Sequence, residues 1–174
     1  GSSRIWTGSS DAQVWRGDLS GGSWSWTNTS KSPLPGRYVT RIAPHPSDPQ
    51  IAYVSYSGFG SDHVFRTADG GSTWTSASAG LPDIPVNVVL VDPNNPTVVY
   101  AGTDIGVYRT SDSGLNWAPF GTGLPNAAVF DLAIRKNSNL LRVATHGRGM
   151  WEIQVTGEQS FTIFNDGDAT LTVT

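Results

Sequence analysis

The chain is a succession of short segments in which apolar and polar residues alternate. One set of alternating runs comes shortly after Leu-Pro pairs, at 39–46 (VTRIAPHP), 86–93 (VNVVLVDP) and 129–136 (VFDLAIRK). A second set, rich in β-branched and aromatic residues, follows at 51–56, 98–103 and 141–146, with an earlier copy at 5–9. Short runs of this kind, bounded by Gly, Pro, Asn and Asp, are typical of antiparallel strands, and no segment has a helical period. The pattern predicts an all-β fold.

The same order of segments returns about every 43 residues. A Val-aromatic-Arg string occurs at 14–16, 64–66 and 107–109, and a variant of it occurs at 150–152. Each repeat therefore holds four strands, which we label A to D in chain order. Four antiparallel strands in a unit of this size predict a blade of a β-propeller. We expect about four blades over residues 1–156, as part of a larger propeller, with a closed four-bladed ring as the alternative.

Two tight turns between strands C and D share one pattern, RTADGGSTW at 66–74 and RTSDSGLNW at 109–117. The Asp of such a turn can accept hydrogen bonds from the backbone N–H groups around it, and the glycines permit a positive φ. The Trp that follows is expected to bury its ring in the core, which stabilises the fold by roughly 1.5–3 kcal/mol. Because the pattern recurs in each repeat, we interpret it as a structural turn and not as a metal or catalytic site.

The segment from Thr67 to Trp74 resembles the Asp-box motif, or bacterial neuraminidase repeat, of sialidase, xyloglucanase and sortilin propellers. The second copy departs from the motif only at Asn116, and a degenerate third copy starts at Asp18. The resemblance covers about residues 4–156 and implies that these turns lie away from the ligand-binding face. The structural residues predicted on this basis are Asp18, Asp69, Gly71, Thr73, Trp74, Asp112, Gly114 and Trp117. Core positions are also expected for Trp15, Trp24 and Trp151.

In a four-stranded meander the B–C and D–A loops lie at the end opposite the C–D turns. The 56–63 loop is longer than its counterpart at Asp104 and carries an aromatic residue at its tip, which is a common binding device. An aromatic ring beside carboxylates and an Arg suits a sugar, through stacking and hydrogen bonds to hydroxyl groups. The predicted ligand-binding residues are Phe59, Asp62, His63, Asp104, His146 and Arg148, and the D–A loops add Arg37, Asp83 and Asn126. The alternative that these loops are polar simply because they are solvated stays open.

The composition argues against a nucleic-acid partner, a membrane span and a cysteine-ligated metal site. Charged residues are only 14% of the 174, and the formal net charge is −3. No basic stripe suggests a nucleic-acid partner, and no apolar run approaches the roughly 18 residues of a membrane span. There are no cysteines, and the spacing of His63 and His146 relative to Asp62 and Asp104 matches no standard zinc pattern. We therefore predict no cofactor, no metal and no membrane insertion.

Residues 157–174 break the repeat. Two alternating runs flank an Asn-Asp-Gly-Asp turn at 165–168, which predicts a hairpin. The hairpin resembles the start of an immunoglobulin-like module of the kind that follows secreted bacterial propellers. Alternatively, its two strands complete blade four and blade one.

These observations favour a secreted bacterial propeller module that binds a glycan or an extracellular protein. No complete catalytic constellation is visible. Two alternatives stay open. One is a portion of a glycoside hydrolase of the sialidase or xyloglucanase type, with Asp62 and Asp104 as the pair of carboxylates that such enzymes need. The other is a subunit of an extracellular assembly, in which open strand edges pair with further blades or other chains.

Overall fold

The computed structural model of the chain describes residues 3–155 and 161–164, and its strands form four antiparallel sheets. Blade 1 contains β1 (Arg4–Gly8), β2 (Val14–Ser20) and β3 (Ser23–Asn28). Blade 2 contains β4 (Val39–Pro44), β5 (Ala52–Tyr56), β6 (Val64–Thr67) and β7 (Thr75–Ser76). Blade 3 contains β8 (Val86–Val91), β9 (Val99–Thr103), β10 (Gly106–Thr110) and β11 (Ala118–Phe120). Blade 4 contains β12 (Val129–Ile134), β13 (Leu140–Thr145), β14 (Met150–Gln154) and β15 (Phe161–Phe164). The predicted all-β architecture of antiparallel propeller blades is confirmed; among the described residues three blades have four strands and blade 1 has three.

The hydrophobic core lies between the blades, because each sheet presents one face to each neighbour. Blades 1 and 2 share a core that includes Val14, Val54 and Phe65. Two equivalent cores follow, between blades 2 and 3 and between blades 3 and 4. The strands β4, β8 and β12 lie side by side at the inner edge of the arc. Consecutive blades are thus held together by face-to-face apolar packing.

A tryptophan at the start of the outer strand fastens a blade to the one before it. The indole Nε1 of Trp74 donates to the carbonyl oxygen of Thr29 at 3.0 Å, and that of Trp117 donates to the carbonyl oxygen of Ala77 at 2.8 Å. Both rings are buried, as predicted, with 3% and 6% exposed. Gly71 has a φ of 83°, and a Cβ there would come within 2.9 Å of the Thr29 side chain. Only glycine allows this close approach of the turn to the preceding blade.

Blade 1 departs from the predicted Asp-box pattern. Its C–D connection is a two-residue turn at Gly21-Gly22, with φ values of 57° and 79°, which suits a regular hairpin. Asp18 therefore lies in strand β2 and not in the turn, where its carboxylate pairs with the guanidinium groups of Arg4 and Arg16. The assignment of Asp18 to an Asp-box turn is wrong for this reason.

Two of the tryptophans predicted in the core are also placed differently. Trp15 is 37% exposed and Trp24 is 44% exposed, because the outer face of blade 1 has no neighbour among the described residues. Trp151, by contrast, is partly buried against the core between blades 3 and 4.

The described blades form an arc. Each blade packs on the next, from blade 1 to blade 4. Within residues 3–155, no comparable packing joins β12 of blade 4 to β1 of blade 1. The strand Phe161–Phe164 pairs with β14 and takes the outer position of blade 4. The alternative in which the two strands of the hairpin complete blades 4 and 1 predicts this position for the first of them. Residues 165–174, which hold the rest of the predicted hairpin, lie outside the described residues.

Candidate functional site

The B–C and D–A connections come together at one end of the arc, which we call the loop end. It consists of the B–C loops 9–13, 57–63, 104–105 and 146–149 and the D–A loops 29–38, 77–85 and 121–128. Contacts between the two kinds of loop recur along the arc. The N–H of His146, for example, donates to the carbonyl oxygen of Ala128 at 2.8 Å. The opposite end carries the C–D turns.

One carboxylate binds the long loop 57–63 at two points. Asp83, in the following D–A loop, accepts the backbone N–H of Gly60 at 2.6 Å through Oδ1, and the same oxygen lies 3.0 Å from Nε2 of His63. The hydrogen bond from Gly60, together with the one from His63, lowers the pKa of Asp83 below its ordinary value. Phe59 sits at the tip, between two glycines of positive φ, and is 59% exposed. The loop therefore presents its aromatic ring from a backbone tied down at both Gly60 and His63.

His63 does not lie on the surface where we expected a ligand contact. Its side chain is buried, with 2% of the residue exposed, and its backbone N–H donates to Ser78 Oγ at 3.1 Å. It is a strand-end neighbour of Tyr56, whose N–H donates to the carbonyl oxygen of His63. His63 supports the loop from below, and it cannot reach a ligand without a rearrangement of that loop.

Each inner strand has a β-bulge at its loop end. The extra residue is Thr40 in β4, Asn87 in β8 and Phe130 in β12. A bulge turns a side chain away from the regular alternation, and bulges are frequent beside binding sites. Sequence reasoning missed these three residues. A signal was present in the order of apolar residues: the buried Val39 and the partly buried Ile42 pack in the same core and are three residues apart, whereas residues on one face of a regular strand are two apart.

The side chains of the three bulge residues make different contacts. Thr40 Oγ1 donates to the carbonyl oxygen of Val86 at 2.6 Å and so ties blade 2 to blade 3. Asn87 Nδ2 donates to Oδ1 of Asp104 at 2.8 Å and orients that carboxylate. Phe130 is 55% exposed and packs on the imidazole of His146, with ring centroids 5.7 Å apart.

Large apolar side chains are exposed around the loop end. They are Tyr38, Phe59, Ile105, Phe130 and Met150, which are 45–59% exposed. Loops of a soluble domain are usually polar, and a group of exposed apolar residues on one face is characteristic of an interaction site. The predicted residues Asp62, Arg148, Arg37 and Asn126 are exposed at the same end.

The structure brings the candidate residues together as pairs. These pairs are His63 with Asp83, Asp104 with Asn87, and His146 with Phe130. Asp62 and Asp104 are both exposed and lie in the B–C loops of the neighbouring blades 2 and 3. Among the described residues, no group of three or more His, Asp or Glu side chains could hold a metal ion. No helix in the described part of the chain could cross a membrane.

An ion pair lies on the inner side of the arc. The guanidinium of Arg41 in β4 pairs with the carboxylate of Asp131 in β12, across the intervening strand β8. A cavity of about 230 Å³ beside it is lined by residues of these three strands, among them Val88 and Leu132. The pair links blades 2 and 4, which are not neighbours in sequence order.

The carboxylates of the C–D turns accept hydrogen bonds from residues of their own turns. Asp69 accepts hydrogen bonds from the Thr73 hydroxyl at 2.6 Å, the Thr73 N–H at 2.9 Å and the Thr67 hydroxyl at 2.8 Å. These bonds, chiefly those from Thr73, lower the pKa of Asp69 to about 2. Asp112 is held likewise by the Thr110 hydroxyl at 2.6 Å and by Asn116, and its pKa is also lowered to about 2. Asn116 thus replaces Thr73 without loss of a hydrogen bond.

Comparison with known proteins supports the architecture. No protein-family model and no curated protein sequence matches the chain. Among solved structures, the GH74 xyloglucanase from Xanthomonas campestris is similar over 87% of this chain and 25% of its own, with 22% identity and a TM-score of 0.65. The extracellular domain of the hybrid two-component system BT3049 from Bacteroides thetaiotaomicron is similar over 98% of this chain and 21% of its own, with 17% identity and a TM-score of 0.67.

A third similar structure is YCF48 bound to D1 peptide, with 15% identity over 94% of this chain and 60% of its own and a TM-score of 0.57. The chain has the β-propeller fold. At these identities the likeness concerns the fold alone. The chain spans about a quarter of the length of the xyloglucanase that it matches.

Proposed function

We propose that the chain is an extracellular recognition module that binds a glycan through its loop end. The observation that carries the proposal is that the exposed aromatic rings of Tyr38, Phe59 and Phe130 lie at the same end of the blades as the carboxylate that Asn87 orients, that of Asp104. The similarity in fold to a xyloglucanase is compatible with this role.

The chemistry of the loop end suits a sugar in two ways. A pyranose ring has apolar C–H faces, which can pack on exposed aromatic rings held by rigid loops. Its hydroxyl groups need fixed acceptors and donors. Asp104 uses one oxygen for Asn87, and a carboxylate has further acceptor positions for a ligand hydroxyl. Since Asp83 holds the 57–63 loop, Phe59 is presented with little freedom left to lose on binding.

The test is binding of the purified chain to a broad glycan array. The wild type is compared with the double variant Phe59→Ala/Asp104→Ala and with the control Leu115→Ala. Leu115 is 70% exposed and lies in a C–D turn at the opposite end, so the control removes an exposed apolar side chain of similar accessibility. We expect selective binding by the wild type and the control, and its loss in the double variant. Equal binding by all three proteins would contradict the proposed site.

A protein partner is the second candidate. Ile105 and Met150 are 45% and 50% exposed at the loop end, and aliphatic side chains suit a protein surface better than a sugar. In that case a folded, monodisperse sample shows no binding to any glycan on the array. Chemical cross-linking in extracellular extracts then captures a partner with the wild type and fails with an Ile105→Ser/Met150→Ser variant.

The hydrolase alternative is tested separately. It requires two carboxylates about 5–10 Å apart, for which Asp62 and Asp104 are the candidates. Release of reducing sugar from a bound polysaccharide by the wild type, and its loss in both Asp62→Asn and Asp104→Asn, would establish hydrolysis. Binding without release assigns the chain to recognition alone.

A further inference from the structure

The guanidinium group of Arg37 lies against the long loop 57–63. A Cβ atom at Gly58 would overlap Nη1 of Arg37 and lie 3.3 Å from its Cζ, and a Cβ at Gly60 would lie 4.0 Å from its Nη2. Both glycines have positive φ values, 95° and 74°, and Phe59 stands between them. Arg37 therefore packs on the backbone that carries the exposed ring of Phe59, and the missing Cβ of Gly58 leaves room for it there.

The segment around Arg37 is joined to the same loop by a backbone hydrogen bond. The carbonyl oxygen of Tyr38 accepts the N–H of Ser57 at 3.1 Å. The ring of Tyr38 is 53% exposed and that of Phe59 is 59% exposed. Blade 2, to which these residues belong or lead, packs between blades 1 and 3. Two exposed rings and one guanidinium group thus lie on two chain segments that are fixed to each other in the middle of the arc.

The positive charge of Arg37 has no partner within the described part of the chain. Its side chain forms no hydrogen bond and no ion pair with another described residue. The two carboxylates nearest to it in this region are not used for that purpose. Asp83 accepts hydrogen bonds from Gly60 and His63, and Asp62 is exposed in the same loop. A guanidinium group that is held by packing and lacks an anion is available to a ligand.

We propose that Arg37 binds the carboxylate of an acidic sugar, so that the glycan recognised at the loop end contains uronate. This inference rests on the glycan binding proposed above and names its substrate class. In a hexuronate the carboxylate projects from the edge of the pyranose ring, and the C–H faces of the ring stay apolar. One face packs on the ring of Phe59 or Tyr38, while the carboxylate accepts two parallel hydrogen bonds from the guanidinium group.

The shape and charge of the guanidinium group favour a carboxylate over the other groups that a sugar can carry. The two oxygens of a carboxylate lie in one plane and match the parallel N–H groups of a single arginine. A sulfate ester spreads three free oxygens around a tetrahedron, so one planar fork binds at most two of them. A neutral sugar laid over Arg37 would remove water from the charge without supplying an opposite charge. We therefore expect uronates to be preferred over both.

The experiment is isothermal titration calorimetry of the full chain with matched oligosaccharides. The probes are oligomers of galacturonate, mannuronate and glucuronate, each beside its carboxyl-reduced neutral counterpart, and a sulfated carrageenan oligosaccharide without uronate. The variants are Arg37→Gln, Arg37→Lys and the control Arg135→Gln. Arg135 is exposed between β12 and β13, at the end opposite the loop end, so the control removes the same charge elsewhere.

We expect the wild type and the control to bind at least one uronate oligomer about 10-fold or more tightly than its reduced counterpart, which is the size of effect that a charge-assisted hydrogen-bonded pair gives. Arg37→Gln should bind the two members of that pair equally. Arg37→Lys keeps the charge without the planar fork and should retain only part of the preference.

A measurement on the wild type alone protects the test from a misfolded variant. Added salt should weaken binding of the uronate oligomer and leave binding of its reduced counterpart unchanged, because salt screens an exposed charge pair. Equal wild-type affinity for the two members of every pair, or a preference that persists in Arg37→Gln, overturns the inference and leaves glycan binding standing. Preference for the carrageenan overturns the choice of carboxylate. Absence of binding to every probe also overturns the inference, and the glycan array then decides separately on the proposed function.

Discussion

Replacement of the two anchoring tryptophans by phenylalanine should destabilise the chain to different degrees. Each change keeps an aromatic ring in the core and removes the indole N–H that reaches the preceding blade. The difference lies in the acceptor. The carbonyl oxygen of Thr29, which accepts Trp74, also accepts the N–H of Lys31 at 2.9 Å. The carbonyl oxygen of Ala77 has Trp117 as its hydrogen-bond partner among the described residues, with no such second donor.

The magnitudes follow from this difference. Loss of a hydrogen bond whose acceptor keeps another donor costs about 1 kcal/mol, and a buried acceptor left without a donor costs about 1–3 kcal/mol. The loss of ring volume is common to both variants and leaves their difference unchanged. Trp117→Phe should therefore be less stable than Trp74→Phe by up to about 2 kcal/mol. For a chain of this length the upper bound corresponds to a difference in Tm of roughly 4–8 °C.

The assay is thermal unfolding followed by circular dichroism at one fixed protein concentration. Leu115→Ala, at a 70% exposed position, serves as a control that should leave Tm nearly unchanged. Equal losses in Tm, or a larger loss for Trp74→Phe, would refute the reasoning from the acceptor carbonyls.

Three further predictions concern backbone, pH and loop order. Gly71→Ala should lower the free energy of unfolding by about 1–3 kcal/mol, because φ is 83° and the preceding blade is close, whereas Gly36→Ala, in open space, should be neutral in the same denaturant titration. Hydrogen bonds hold the pKa of Asp112 at about 2, below its ordinary 3.8, so its contribution to stability is present above pH 3.8 and lost as the pH falls towards 2; Asp112→Asn should flatten Tm against pH in that window. Asp83→Ala removes the hydrogen bonds of that carboxylate to Gly60 and His63 and should speed chymotryptic cleavage after Phe59, and an unchanged rate would contradict the role of Asp83 in ordering the loop.

The sequence by itself determined what is local. Strands alternate with a period of two, so runs such as 86–93 identified the strands and their order from the residues alone. The turns at Asp69 and Asp112 were equally readable, because their hydrogen bonds stay within a few residues. The repeat then predicted four-stranded blades, since one local pattern recurs with regular spacing.

Only the tertiary structure decided which faces are covered and which side chains meet across blades. His63 looked like a loop residue, and its burial depends on Ser78 and Asp83 in the segment that leads to the next blade. Trp24 resembles the anchoring tryptophans, yet it is exposed because no blade that could receive its ring precedes blade 1 among the described residues. Arg41 and Asp131 are 90 residues apart and meet only because the arc brings β4 towards β12. The alternation of apolar and polar residues along a strand predicts that one face is buried. Which element covers that face depends on how whole sheets pack against each other.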